Sequence, residues 1–169
     1  MTKVLILSDS HGLTKELKEI KKRHTVDYMI HCGDSELEMD ATELEGFYMV
    51  GGNMDMDHRF PDEQTVTIGG LTFFIAHGHL HNVKGNISTI AYRAEEEGAQ
   101  VICFGHTHIA GAEKLGAQLL INPGSIRLPR NRQEKTYAIM EWNSKDDIKV
   151  NFYTETGEIV PDMAYSTML

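Results

Sequence analysis

Six short apolar runs punctuate the first 122 residues: KVLIL (3–7), DYMIH (27–31), GFYMV (46–50), LTFFIA (71–76), QVICF (100–104) and QLLIN (118–122). Brief runs rich in β-branched and aromatic residues, bounded by turn formers, are the pattern of buried strands. The residues immediately after each run constrain the fold more than the runs do. KVLIL leads into SDSHG with Asp9 and His11, DYMIH into CGDS with Asp34, and GFYMV into GGNMD with Asn53. LTFFIA leads into HGH with His77 and His79, and QVICF into GHTH with His106 and His108. Five strand ends therefore carry carboxylate, amide or imidazole side chains. The fold must account for that repetition.

Between the runs, Leu13, Leu17 and Ile20, then Leu37, Ala41 and Leu44, then Ile87, Ala91 and Ala94 with Ile90, keep the i, i+4, i+7 rhythm of amphipathic helices. Strand, helix, strand at this spacing predicts parallel βαβ units. In such sheets the loops leaving the carboxyl ends of the strands converge on one edge, which is where ligands bind. Further along, QTVTI-GG-LTFFIA reads as a hairpin with a two-residue turn, and KTYAIMEW and IKVNFY across SKDD as another. The chain should therefore form a mixed sheet, or two sheets packed together. No linker, repeat or low-complexity tract divides it, so a single domain over 1–169 is expected.

The chain has 41% hydrophobic and 24% charged residues, the balance of an ordinary globular protein. Its net charge of −9 argues against an extended nucleic-acid surface, which needs clustered Lys and Arg. A small phosphate ester is still admitted, because the charge that matters to it is local. Cys32 and Cys103 both sit in apolar runs and read as reduced core thiols. VLIL is too short for a signal-peptide core, and no run approaches the ~20 residues of a membrane span. The expected location is cytoplasmic with no membrane partner, and a homo-oligomer is admitted.

Imidazole and carboxylate together suit manganese, zinc, iron or nickel rather than calcium or magnesium. The candidate ligands are Asp9, His11, Asp34, Asn53, His77, His106 and His108. Seven are too many for one ion with open positions, which favours two ions sharing a carboxylate. Two metals roughly 3.5–4 Å apart are a known device for in-line displacement at phosphorus. Two divalent ions offset by Asp9, Asp34 and one hydroxide leave about one positive charge, which would draw a phosphodiester to that point.

DSHG, GD, GN, HGH and GHTH, in this order, resemble the motif set of the calcineurin-like metallophosphoesterase superfamily. The length and the GHTH…NPGS ending are similar to its small single-domain bacterial and archaeal phosphodiesterases. The resemblance runs from the first strand to about Ser125. It implies an α/β fold, a four-layer α/β/β/α sandwich with mixed sheets, and two divalent transition metal ions, manganese first, with nickel, zinc or iron as alternatives. It implies that Asp9, His11 and His108 hold one ion, Asn53, His77 and His106 the other, and that Asp34 bridges. The nucleophile would be a hydroxide between the ions, acting on a small or nucleotide-like phosphodiester.

One position departs from that family, where GN is usually followed by a His that protonates the leaving group. Here it is Met54, which has no acidic proton and leaves Asp55 without its usual partner. The expected bias is toward esters with good leaving groups, with His79, or else His58, as a substitute donor. His24 reads as a helix-end surface residue, His31 as a packed one and His81 as a surface one. Arg127, Arg130 and Arg132 read as solvated loop charges more than as a phosphate clamp. Met29, Met39, Met49 and Met140 read as core filler, and Glu95, Glu96 and Glu97 as a solvated helix face. Competing functions are a phosphomonoesterase or dinucleoside polyphosphate hydrolase, and a catalytically weak scaffold of the same fold. Signatures of P-loop, Rossmann and serine-hydrolase sites are absent.

Overall fold

The computed structural model describes residues 1–169. Eleven strands form two sheets. The first contains β1 (Thr2–Leu7), β2 (Tyr28–His31), β3 (Phe47–Met49), β9 (Thr136–Trp142), β10 (Ile148–Thr154) and β11 (Tyr165–Thr167), in the order β11-β10-β9-β1-β2-β3. The second contains β4 (Glu63–Ile68), β5 (Leu71–Ala76), β6 (Val101–Cys103), β7 (Gly111–Leu115) and β8 (Gln118–Asn122), in the order β4-β5-β6-β8-β7. β1, β2 and β3 run parallel, as do β5, β6 and β8. The two hairpins expected from the sequence form, β4 with β5 and β9 with β10.

Three apolar clusters define four layers. Alternate residues of each sheet, among them Val4, Ile6, Phe73, Ile75, Val101 and Trp142, fill the space between the sheets. Leu5, Leu7 and Ile139 point the other way, onto Leu17 and Ile20 of α1 (Lys15–Arg23). Phe74, Ile102 and Leu120 likewise meet Ile90 and Ala94 of α2 (Ser88–Glu96). Period-two alternation thus sends each strand's side chains to two different cores. The result is the expected α/β/β/α sandwich.

The pattern at Leu37, Ala41 and Leu44 does not produce an α-helix. Only a single 3-10 turn, Thr42–Leu44, forms there. The backbone N–H groups of Glu36, Leu37 and Met39 are taken by Asp55, Ser35 and Asp57 side chains, at 2.8, 3.2 and 2.7 Å. Side-chain oxygens that capture amides compete directly with a helical ladder. Two strands escaped the sequence reading. β7 is an edge strand of largely exposed residues that exists through its pairing with β8, and β11 pairs only with β10.

Met140 is fully buried, and Met29, Met39 and Met49 pack against the core beneath α1. Both cysteines are free and buried, and burial pushes both thiols up, away from reactivity. No helix is long and apolar enough to cross a membrane.

Candidate metal centre

The parallel order β1-β2-β3 in one sheet and β5-β6 in the other puts five strand ends at one edge of the sandwich. The turns beyond them are bonded to each other. Asp9 N–H donates to the Gly33 carbonyl (3.0 Å), His11 N–H to that of Asp34 (2.9 Å), and Gly105 N–H to that of His77 (3.0 Å). Asp9, His11, Asp34, His106 and His108 all have positive φ, between 42° and 69°. Non-glycine residues adopt this region seldom, at a cost of order 1–3 kcal/mol each. Such a concentration of strained backbone marks a site built for something other than stability.

Close approach explains two of the glycines. A Cβ on Gly52 would meet the Asp34 carboxylate, and one on Gly105 would meet Ser8 Oγ. Neither position has room for a side chain.

Two tight groups of donor atoms result. Asp9, His11 and His108 form one, and Asp9, Asp34 and His77 the other. Asp9 Oδ1 lies 3.2 Å from His108 Nε2 and 3.7 Å from both His11 Nε2 and His77 Nε2. Asp34 Oδ2 is 3.1 Å from His77 Nε2. Ligands about 2.0–2.2 Å from a common ion stand roughly 3.0–3.5 Å apart, so these spacings suit shared coordination. Asp9 and His77 are almost wholly buried, yet Asp9 Oδ1 and His77 Nε2 make no aligned hydrogen bond. Buried polar atoms left unpaired are rare and need a partner. A cation between them would supply it, and the residues fit one.

The other ring nitrogens set the tautomers. His77 Nδ1 donates to the Cys32 carbonyl and His108 Nδ1 to the Leu128 carbonyl, each at 2.7 Å. His11 Nδ1 instead faces Glu36 Oε1 at 2.8 Å. Each arrangement aims Nε2 inward, as buttressed metal ligands are held. Burial pushes the Asp9 carboxyl up, but His108 and His11 outweigh it and hold it far below the usual carboxylate range. Asp9 in turn raises His11 to about 9, against burial and with help from Glu36. The carboxylates thus demand positive charge at this point.

Asp34 falls in only one of the two groups, whereas Asp9 belongs to both. Asp9 thus stands within reach of both sets of imidazoles, and Asp34 beside His77. Asn53 and His106 line the cleft above the groups, a cavity of about 460 Å³. Asn53 is exposed, and the ring nitrogens of His106 join neither group, although its ring lies 5.1 Å from that of His77.

His79 does not line the cleft. The left-handed Gly78 turns the chain into the 3-10 segment His79–His81, and the His79 ring packs 5.4 Å from His77 and 6.2 Å from His106. Burial lowers its pKa. His58 is exposed and also absent from the cleft wall.

Several residues hold the site from behind. Asp55, expected to lack a partner, accepts the N–H groups of Gly52 (2.7 Å), Glu36 (2.8 Å) and Asp34 (2.9 Å), and so clamps two ligand turns together. Met54 N–H donates to Asp34 Oδ1 at 2.8 Å. His31 is buried as expected, and its Nδ1 accepts from Gly33 N–H while Nε2 donates to Ser10 Oγ. In the NPGS segment, Ser125 Oγ donates to the Asp9 carbonyl and the Asn122 amide to that of Gly105.

Four other readings are settled by contacts. His24 is tied by Nε2 to the Tyr137 hydroxyl at 2.6 Å instead of lying free at the helix end. His81 is buried against Glu63 at 2.7 Å instead of on the surface, and its burial comes from packing on Phe74. Arg132 pairs with Asp162 and Glu134 as a loop charge, and Glu95, Glu96 and Glu97 are exposed. Arg127 and Arg130, by contrast, line the cleft, and Arg127 donates to the His11 carbonyl. Glu36 was not singled out by sequence, because a lone Glu in an acidic loop carries no motif signal.

Comparison with known proteins agrees with the fold and the motifs. Residues 2–145 match the family model of the calcineurin-like phosphoesterase superfamily domain. The "Probable metallophosphoesterase YsnB" of Bacillus subtilis (strain 168) is 52% identical over 162 residues, covering 95% of each chain. A "Probable metallophosphoesterase" of Mycoplasma genitalium is 30% identical over 90% of this chain and 96% of its own. A crystal structure of a predicted phosphoesterase from Streptococcus pneumoniae TIGR4 superposes with a TM-score of 0.93 at 34% identity, covering 98% of this chain and 96% of that one. The fold alone is shared with Vps29 of Entamoeba histolytica complexed with zinc, at TM-score 0.79 and 16% identity over 98% of each chain. Motifs, sandwich and ligand groups converge, and the chain belongs to the calcineurin-like phosphoesterase superfamily.

Proposed function

We propose that this chain is a cytoplasmic metal-dependent phosphodiesterase whose substrate is a small or nucleotide-like phosphodiester, working with two divalent transition metal ions, manganese first. The observation that carries the reading is the pair of unpartnered buried atoms, Asp9 Oδ1 and His77 Nε2, set between inward-facing imidazoles. His11 and His108 with Asp9 would hold one ion. His77 with Asp34 and Asp9 would hold the other, which His106 and Asn53 reach from the cleft wall. When bound, such a pair of ions supplies an activated water and neutralises charge on the phosphoryl oxygens.

The chain's own groups do the rest. Asp9 and Asp34 stand between the two histidine sets and keep the net charge of the loaded site small, which suits the single charge of a diester. Asp55 and His31 fix the turns that present these side chains, and low reorganisation of preset groups is where such sites gain rate. Met54, at the rim of the cleft, offers no proton to a departing alkoxide. His79 supports the His77 and His106 rings in this reading and does not donate a proton.

After chelation and return of manganese, bis-p-nitrophenyl phosphate should be turned over faster than p-nitrophenyl phosphate. Faster release from the monoester would replace this reading with a phosphomonoesterase.

A further inference from the structure

Beyond the ligands, the cleft is cationic. Lys84, Arg127 and Arg130 line it, and the acidic side chain on its wall that is not a ligand, Glu36, is already engaged by His11. None of the three basic side chains forms an ion pair. Elsewhere three of the four guanidinium groups do: Arg59 pairs with Asp57, Arg93 with Glu63 and Glu97, and Arg132 with Asp162, while Arg23 is held by the Tyr137 hydroxyl and the Glu155 carbonyl. In a chain of net charge −9, carboxylates are plentiful enough to pair every arginine. Three unpaired cations gathered at one cleft run against that background.

Two of them are also anchored. Arg127 donates to the His11 carbonyl, and its own N–H is held by Ser125 Oγ at 3.1 Å. Arg130 N–H donates to the His108 carbonyl at 3.0 Å. Both arginines are thus tied to the turns that carry the Asp9, His11 and His108 group. Lys84 lines the same cleft beside His106.

The scissile phosphoryl of a diester carries one negative charge, which the metal site itself balances. Three further cations exceed what it needs. A cleft of about 460 Å³ also has room for more than one phosphoryl group. Arginine recognises phosphate through parallel N–H groups, and lysine as a point charge.

We propose that Lys84, Arg127 and Arg130 form a subsite for a second phosphate group. The favoured substrates are then phosphate esters that carry another phosphate on one arm, such as nucleoside bisphosphate esters. This rests on the diesterase reading for the chemistry, but the subsite is tested by binding alone. Isothermal titration of the manganese-loaded protein would compare thymidine 3′,5′-bisphosphate with thymidine 5′-monophosphate. The bisphosphate should bind about tenfold more tightly, the effect of one charge-assisted contact set. That preference should shrink with rising salt and fall to about twofold or less in the double variant Lys84→Gln, Arg130→Gln. Both positions are exposed, and metal content of the variant reports that the site is intact.

Equal affinity of the wild type for the two nucleotides would overturn the subsite. So would a preference that survives in the double variant. Hydrolysis of bis-p-nitrophenyl phosphate by the same preparation tests the diesterase reading separately, since that ester has no second phosphate.

Discussion

The two ligand groups of the centre are built differently. In the Asp9, His11, His108 group every member sits on a left-handed residue, and both imidazoles are buttressed, one by Glu36 and one by the Leu128 carbonyl. The group around His77 has one buttressed imidazole and Asp34 in place, while His106 and Asn53 stand in the open cleft. The first position is assembled by the fold. In the proposed two-ion reading the second would be completed from cleft-wall side chains, and it should be the weaker of the two.

Replacing the shared side chain should have the largest effect. Asp9→Ala removes a ligand from both groups, so both equivalents of metal and roughly a thousandfold or more of the diesterase rate should be lost. His77→Ala should instead spare the first equivalent. Titration of each variant with manganese checks this, and loss of both equivalents from His77→Ala would erase the distinction between the groups.

A smaller effect sharpens the same comparison. Glu36 touches no substrate; it positions His11. Glu36→Ala should weaken the first ion by about 10–100-fold, the usual effect of removing a buttress from a ligating histidine, while Glu36→Gln recovers part of it. The second ion should be little changed. A change confined to the second ion would show that Glu36 serves some other purpose.

The smallest effect concerns stability. Burial lowers His31 to about 4, against an ordinary 6.5. Below pH 6.5 the unfolded chain takes up a proton that the folded chain refuses until about pH 4, so stability falls as pH drops through that window. Between pH 7 and pH 5 this amounts to roughly 2 kcal/mol. Urea denaturation of wild type and His31→Asn at both pH values checks it: the variant should lose less on acidification. Equal losses would mean that His31 is not held neutral in the fold.

How much of this could be read from residues alone differs between the strand ends and the groups behind them. The strand runs and the turns after them announced themselves, because buried β-structure and metal-type side chains both have strong local signals. The groups that hold those turns did not. Asp55 and Glu36 are single acids in an acidic stretch, and their value lies in which backbone amides and which imidazole they meet after folding. The same holds for His24 and His81, whose partners Tyr137 and Glu63 are distant in sequence. The Leu37–Leu44 periodicity misled because Asp55, Asp57 and Ser35 claimed the amides a helix needs. That Asp9 stands within reach of both histidine sets was likewise hidden, since His11, His77 and His108 meet its Oδ1 only after folding.

Asp9 Oδ1 and His77 Nε2, buried and without a hydrogen-bond partner, would form the floor of the proposed site for two cations. Elemental analysis of protein stripped by chelator and reloaded with manganese, alongside its melting temperature, tests this most directly. Two ions per chain, with a melting temperature that rises on reloading, are predicted, since an ion bound only by the folded state must stabilise it. Protein that retains no manganese and melts at the same temperature with and without it would contradict the account.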